Sequence, residues 1–267
     1  MTALVARMKK FDDICTRAGM TISTKTKLMH INPPSDDGSP SATSPHPSHT
    51  LQLSHFTVDV VDRFTYLGSD VNTHLDLTST IQDRLDKAGA VFARLSRLWS
   101  TSHLSASIKA KMYHSLVRPV AQDGAETWTL LPSMEHLVDA TGMRWLRHLA
   151  RISLRLELYN EELRRRDRCP TPMSEACRQA RLRYYGHLCR LPPASFPHLA
   201  AHRSPPGLRR PGRPATTWLD LVDLDAATRG LTREDLRRLA PDREAYRLQV
   251  VRARPETAPP AAGGTPT

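Results

Sequence analysis

The chain of 267 residues carries 38 Lys and Arg against 27 Asp and Glu, a formal charge of +11 and a pI near 10.0, with 39% hydrophobic residues. That apolar share excludes a fibrous or wholly disordered chain, and the length allows one or two domains of the usual ~100–150 residues. With 21 Pro and only 6% aromatic residues, the core is expected to be modest and the helices short.

Leu4, Met8, Phe11, Ile14 and Cys15 recur at helical spacing and predict a helix over 3–18 that Gly19 stops. Met20-Thr-Ile-Ser23 and Leu28-Met-His-Ile31 read as two short strands around Lys25-Thr26-Lys27. From Asn32 to Thr50 no apolar residue exceeds Ala, so burial would not offset the entropy of ordering, and a disordered loop is expected. Residues 51–71 alternate and end in Phe64-Thr-Tyr-Leu-Gly-Ser69, a strand running into a glycine turn.

The strongest helical signal is Ile81, Leu85, Ala88, Phe92, Leu95 and Trp99, which leaves Arg84, Lys87, Arg94 and Arg97 on other faces. Ile108, Met112 and Leu116 predict a helix ending near Pro119; Val138, Thr141, Trp145, Leu149 and Ile152 predict another. Thr171-Pro172 opens a helix with the stripe Met173, Cys177, Ala180, Tyr184 and Leu188, stopped by Pro192-Pro193 before a Pro-rich joint over 192–214. Thr217 can cap a helix carrying Trp218, Leu221, Val222 and Asp225 up to Gly230, and Thr232 with Asp235 has the pattern of a capping box. The tail after Arg254 is Pro, Ala, Gly and Thr and is expected to be disordered.

The charge is concentrated. Residues 144–213 hold sixteen Arg and no Lys against five acids, an excess of eleven that equals the whole net charge. Such a field attracts phosphate and releases its counterions, and arginine suits planar, bidentate phosphate contact. Arg144, Arg147 and Arg151, at i, i+3 and i+7, make either a basic ridge or a solvated face flanking the core. Arg178, Arg181, Arg183 and Arg190 spread around their helix, so only some can face one ligand. Arg209-Arg-Pro-Gly-Arg-Pro214 resembles an AT-hook, with Pro211 where an Arg normally precedes the Gly; a basic linker is the other reading. Trp128, Trp145 and Trp218 fit packing positions rather than base-stacking platforms.

Cys15, Cys169, Cys177 and Cys189 form no CxxC pair, and with His187 they lack the paired knuckles of a zinc site, so neither metal nor cofactor is expected. No run is apolar enough for a signal peptide or a membrane span, which places the chain inside the cell, in nucleus or cytoplasm, with its thiols reduced.

In chain order the landmarks are Gly19-Met-Thr-Ile-Ser23 with Lys25-Thr26, Phe64-Thr-Tyr-Leu-Gly-Ser69, Val117-Arg-Pro-Val120 with Gly124-Ala-Glu-Thr-Trp-Thr129, and Asn160-Glu161-Glu162. Arg181-Leu-Arg-Tyr-Tyr-Gly-His187, Gly212-Arg-Pro214 with Thr217-Trp218, and Asp242-Arg243 follow. This series resembles the thumb and C-terminal region of non-LTR (LINE-type) retrotransposon endonuclease/reverse transcriptases. The resemblance implies a palm remnant, a helical thumb that grips a template–primer duplex by its backbone, and an Arg-rich extension that contacts RNA or target DNA. It also places the Tyr-Ala-Asp-Asp hairpin that holds the catalytic metals upstream of Met1.

Other carboxylate pairs do not replace that hairpin. Phe11-Asp12-Asp13 sits in a helical pattern and reads as a solvated helix edge, Asp36-Asp37 lies in the loop, and Glu161-Glu162 suits a helix's first turn. Against the family pattern, Gln122-Asp123 precedes Gly124 where an aromatic is usual, which would put a carboxylate in an apolar position, and Tyr246 replaces a Trp.

The expected fold is therefore mostly helical α+β. Its segments are a palm remnant (1–31), a disordered loop (32–50), a strand and turn region (51–78), a helical thumb-like region (79–158), a basic helical C-terminal region (159–252) and a disordered tail (253–267). The expected function is sequence-tolerant binding of RNA or DNA without polymerase activity, through Arg84, Lys87, Arg144, Arg147, Arg151, Arg178, Arg181, Arg183, His187, Arg190, Arg209, Arg210 and Arg213. Two other readings stand beside it: a retrotransposon-derived reading frame with no preserved role, and a DNA-binding adaptor using Gly212-Arg-Pro214.

Overall fold

Helix α1 (Thr2–Arg17) ends as its sequence dictates. Gly19 takes φ +69°, its N–H reaches Thr16 O at 3.1 Å, and Met20 N–H reaches Cys15 O at 2.9 Å, closing the last turn in a Schellman motif. The buried row of α1 is Asp12 and Cys15, with Met8 half-buried. Phe11 and Ile14, expected inside, are exposed at 54% and 53%, because one residue turns a side chain by about 100° around a helix. Asp12 is thus not the solvated edge that its neighbours suggested.

This computed structural model describes residues 2–23, 25–29, 50–52, 57–66, 69–73, 77–152, 160–166, 171–202 and 216–252. The chain divides into two compact units, Met1–Thr80 and Ile81–Thr267. The loop over 32–49, the tail over 253–267, Cys169 and the candidates Arg209, Arg210 and Arg213 lie outside the described residues.

In the first unit, β1 (Lys27–Leu28), β2 (Thr50–Gln52) and β3 (Thr57–Val60) form a sheet of order β1-β3-β2. β1 runs parallel to β3, and β2 antiparallel to it. β4 (Arg63–Tyr66) and β5 (Ser69–Asn72) pair as a hairpin from Arg63↔Asn72 to Tyr66↔Ser69. Met20–Ser23, expected as a strand, is irregular: it leaves the cap of α1 without entering a ladder that would take its N–H and C=O groups.

The remaining elements are helical, so the protein is mostly helical α+β, as its periodicities predict. α2 (Leu77–Arg94) and α3 (Ser96–Ser100) divide the expected long helix at Leu95, and the Trp99 indole donates to Phe92 O at 2.8 Å across the break. α4 (Ala106–Met112) starts at a Ser105 cap and runs through a π-helical turn, Tyr113–Val117, into α5 (Arg118–Ala121). The helical run ends at Ala121, close to Pro119 as the spacing predicts, and the wider π turn gives room to a ring whose residue has no N–H to donate. α6 (Pro132–Ala150) opens on its proline and closes on Arg151 in the left-handed region, φ 54°.

α7 (Asn160–Arg166), α8 (Met173–Arg190), α9 (Phe196–His202), α10 (Trp218–Ala227), α11 (Arg233–Leu239) and α12 (Arg243–Tyr246) follow. α10 and α11 each carry a complete capping box, Thr217 with Asp220 and Thr232 with Asp235. One aromatic group sits at Phe92, which stacks on Trp99 (5.2 Å) and Trp145 (5.9 Å), with Tyr113 edge-on to Trp145. A second core gathers Leu182, Tyr185, Val222, Leu236, Tyr246 and Val250. The expected stripe of α8 is buried at Met173, Cys177 and Leu188 but only half-buried at Ala180 and Tyr184, and the buried surface extends to Arg181, Leu182 and Tyr185.

Candidate nucleic-acid interface

Three arginines of the basic C-terminal stretch point inward. Arg178 of α8 forks onto Glu135 of α6, with Nε 3.1 Å from Oε1 and Nη2 2.8 Å from Oε2, and its Nε lies 3.8 Å from Asp225. Arg181, only 1% exposed, donates from Nη1 to Asp225 Oδ2 at 2.7 Å. Arg229, in the turn after α10, pairs with Glu175 and donates to Asp225 O at 2.8 Å. Three guanidinium groups thus meet three carboxylates, and the network ties α6, α8 and α10 into one body. Burial pushes the Asp225 carboxyl up to about 6, against the lowering by Arg181, Arg178 and Arg229.

These positions correct the expectation that Arg178 and Arg181 serve phosphate. Arg181 is buried beyond the reach of a phosphate, and the fork of Arg178 is already held by Glu135, so neither can serve a ligand without breaking its pair. Arg190 is also turned in, donating to Ala240 O at 2.9 Å. Arg84 is paired with Asp123 at 2.7 Å. That contact also corrects the reading of Gln122-Asp123: Asp123 stays outside, while Gln122 takes the inward place and donates to Met173 O at 3.1 Å.

Five candidates remain outward, Arg151 among them. Lys87 on α2, Arg144 on α6, and Arg183 and His187 on α8 are exposed, and among the described residues none has an ion pair. Arg94, Arg97 and Lys111 are exposed as well. Arg151 donates to Ser100 O, and Arg147 reaches Asn160 Oδ1 at 3.4 Å. Together with His148, Arg147 and Arg151 line a depression of about 350 Å³ whose wall also includes Trp99, Ser100 and Ile152 and holds no carboxylate. Arg151 also lines a second depression with Lys109, whose Nζ donates to Trp99 O at 2.7 Å. Cations here also suit the carbonyl-rich C-terminal ends of α3 and α6.

Neither arrangement is a reaction centre of familiar type. Cys177 is buried against Gln122, and burial raises its thiol to about 12, which leaves no thiolate at neutral pH. Cys15, Cys177 and Cys189 are free thiols, and among the described residues no three His, Cys, Asp or Glu side chains converge on a metal position. No described helix is long and apolar enough to cross a membrane.

Sequence reasoning passed over Glu135, Glu175, Asp225 and Arg229. One signal was available: Asp225 lies on the apolar stripe of α10 with Leu221 and Val222, where an acid must find a cationic partner. Glu135 and Glu175 carry no such mark, since each occupies a helix's first turn, where an acid is favourable anyway.

The chain is similar to a protein of Caenorhabditis elegans described as an uncharacterized transposon-derived protein. The two are 28% identical over 221 residues, which cover 80% of this chain and 76% of that one. No family model and no solved structure matches.

Proposed function

We propose that this is a transposon-derived chain from the thumb and C-terminal region of a non-LTR reverse transcriptase, and that it binds RNA or DNA by its phosphates without polymerising. The observation that carries the reading is where the charge goes. The inward network is balanced, three arginines against three acids, so it absorbs none of the formal +11. The excess therefore falls to groups such as Lys87, Arg144, Arg151 and Arg183, which are exposed and which a polyanion can reach. Similarity to a transposon-derived protein supports the origin. Absence of polymerase activity is supported by the helical setting of Asp12-Asp13 in α1 and Glu161-Glu162 in α7, where neighbouring carboxylates diverge by about 100° and do not clamp two metals.

Fluorescence anisotropy with labelled RNA and DNA tests the reading. Affinity should fall linearly with log salt, at about −0.9 per phosphate neutralised on a duplex. No binding at about 50 mM salt would instead favour a reading frame without a preserved role. Primer extension with Mg²⁺ should yield no product, and any extension would overturn the non-polymerase assignment.

A further inference from the structure

One cavity lies apart from the cation clusters. A groove of about 700 Å³ runs between α8, α9 and the start of α10, lined by Tyr184, Leu188, Phe196, Ala200, Trp218 and Leu219 among others, with no Lys, Arg or carboxylate among the described residues of its wall. Its floor is rigid: the Trp218 indole donates to Glu126 O at 2.9 Å, and the Tyr184 ring meets it edge-on at 6.0 Å. Phe196, which α9 contributes to the lining, is 82% exposed. An aromatic ring left that open forgoes burial that the core would otherwise supply.

Beside the groove α8 carries a cation. Tyr184 and Leu188 form one i, i+4 row of α8, and the exposed Arg183 and His187 form the adjacent row, with the His187 ring 6.2 Å from that of Tyr184; Arg183 also lines the neighbouring depression with Arg118 and Glu126. A strip of aromatic surface beside a strip of cation and hydrogen-bond donor is complementary to a strand whose bases are free on one side and whose phosphates run along the other. A duplex cannot use the aromatic strip in this way, since the faces of its bases already stack on one another.

We propose that this groove takes an unpaired base of single-stranded RNA or DNA, stacked between Trp218 and Phe196, with the neighbouring phosphates on Arg183 and His187. The assignment rests on the nucleic-acid reading above and gives it a single-strand preference. The full chain is titrated into fluorescein-labelled single-stranded RNA, single-stranded DNA and a duplex of the same sequence. Phe196→Ala, at an exposed site that the fold does not need, should weaken single-strand binding about tenfold while leaving the duplex unchanged. Arg183→Ala should reduce the single-strand salt slope by about 0.7. Arg144→Ala should weaken all three ligands alike. A loss on either RNA or DNA single strands supports the groove. Unchanged single-strand affinity in Phe196→Ala, with binding otherwise intact, overturns the groove and leaves the interface reading standing; no binding of any oligonucleotide overturns both.

Discussion

Replacing Arg181 with Met removes one partner from a buried pair and keeps a side chain of similar length. Asp225 would then hold only Arg178 at 3.8 Å and the more distant charge of Arg229. Breaking such a pair costs about 3–5 kcal/mol, and the residual cations place this case near the lower end. That is a large part of the ~5–15 kcal/mol that stabilises an ordinary domain. Removing the carboxylate too, in Arg181→Met/Asp225→Leu, leaves Arg178 with Glu135 and Arg229 with Glu175, a balanced set, and should recover most of the loss. The pH dependence has a definite sign. Asp225 has a folded value raised to about 6 from an ordinary 3.8, so its own contribution is fully present below about 3.8 and is lost as pH rises through about 6. Without Arg181, which lowers it, that value climbs further, so Arg181→Met should be more destabilised relative to the parent at pH 8 than at pH 5. Urea unfolding followed by tryptophan fluorescence at both pH values measures this. A loss under about 1 kcal/mol at pH 8, or a double variant no better than the single one, would refute the network as the tie between α6, α8 and α10.

Other outcomes follow from the packing. A Cβ at Gly186 would lie 2.5 Å from Tyr246 Cε1, so Gly186→Ala should cost about 1–3 kcal/mol in thermal or urea unfolding. Gly142→Ala, which meets the end of the flexible Met173 side chain at 2.6 Å, should cost less in the same measurement. Asp139 of α6 accepts from Ser174 N at 3.0 Å and Ser174 Oγ at 2.7 Å, so Asp139→Ala should lose about 1 kcal/mol of stability by uncapping α8. Lys87→Ala and Arg144→Ala should each reduce the salt slope of duplex binding by about 0.9 with stability unchanged, read by anisotropy and thermal unfolding together.

Local signals were legible because their causes are local. The Gly19 stop, both capping boxes and the helices around Ile81–Phe92 and Val138–Leu149 depend on a few neighbouring residues, and each stands where its pattern puts it. The strand expected at Met20–Ser23 failed because a ladder needs a partner that propensity cannot supply. The break at Leu95 likewise goes with a contact across it, the Trp99 indole on Phe92 O with its ring stacked on Phe92.

The sequence by itself determined a mostly helical, strongly basic chain and where its arginines are concentrated, since composition and periodicity need no knowledge of contacts. Which cations stay at the surface was settled by tertiary contacts. Arg178 and Arg181 have the same chemistry as Arg183, yet the first two meet acids brought from α6 and α10, 43 and 44 residues away, while Arg183 meets solvent. Charge is a property of a residue, but its availability depends on the partners that folding places beside it.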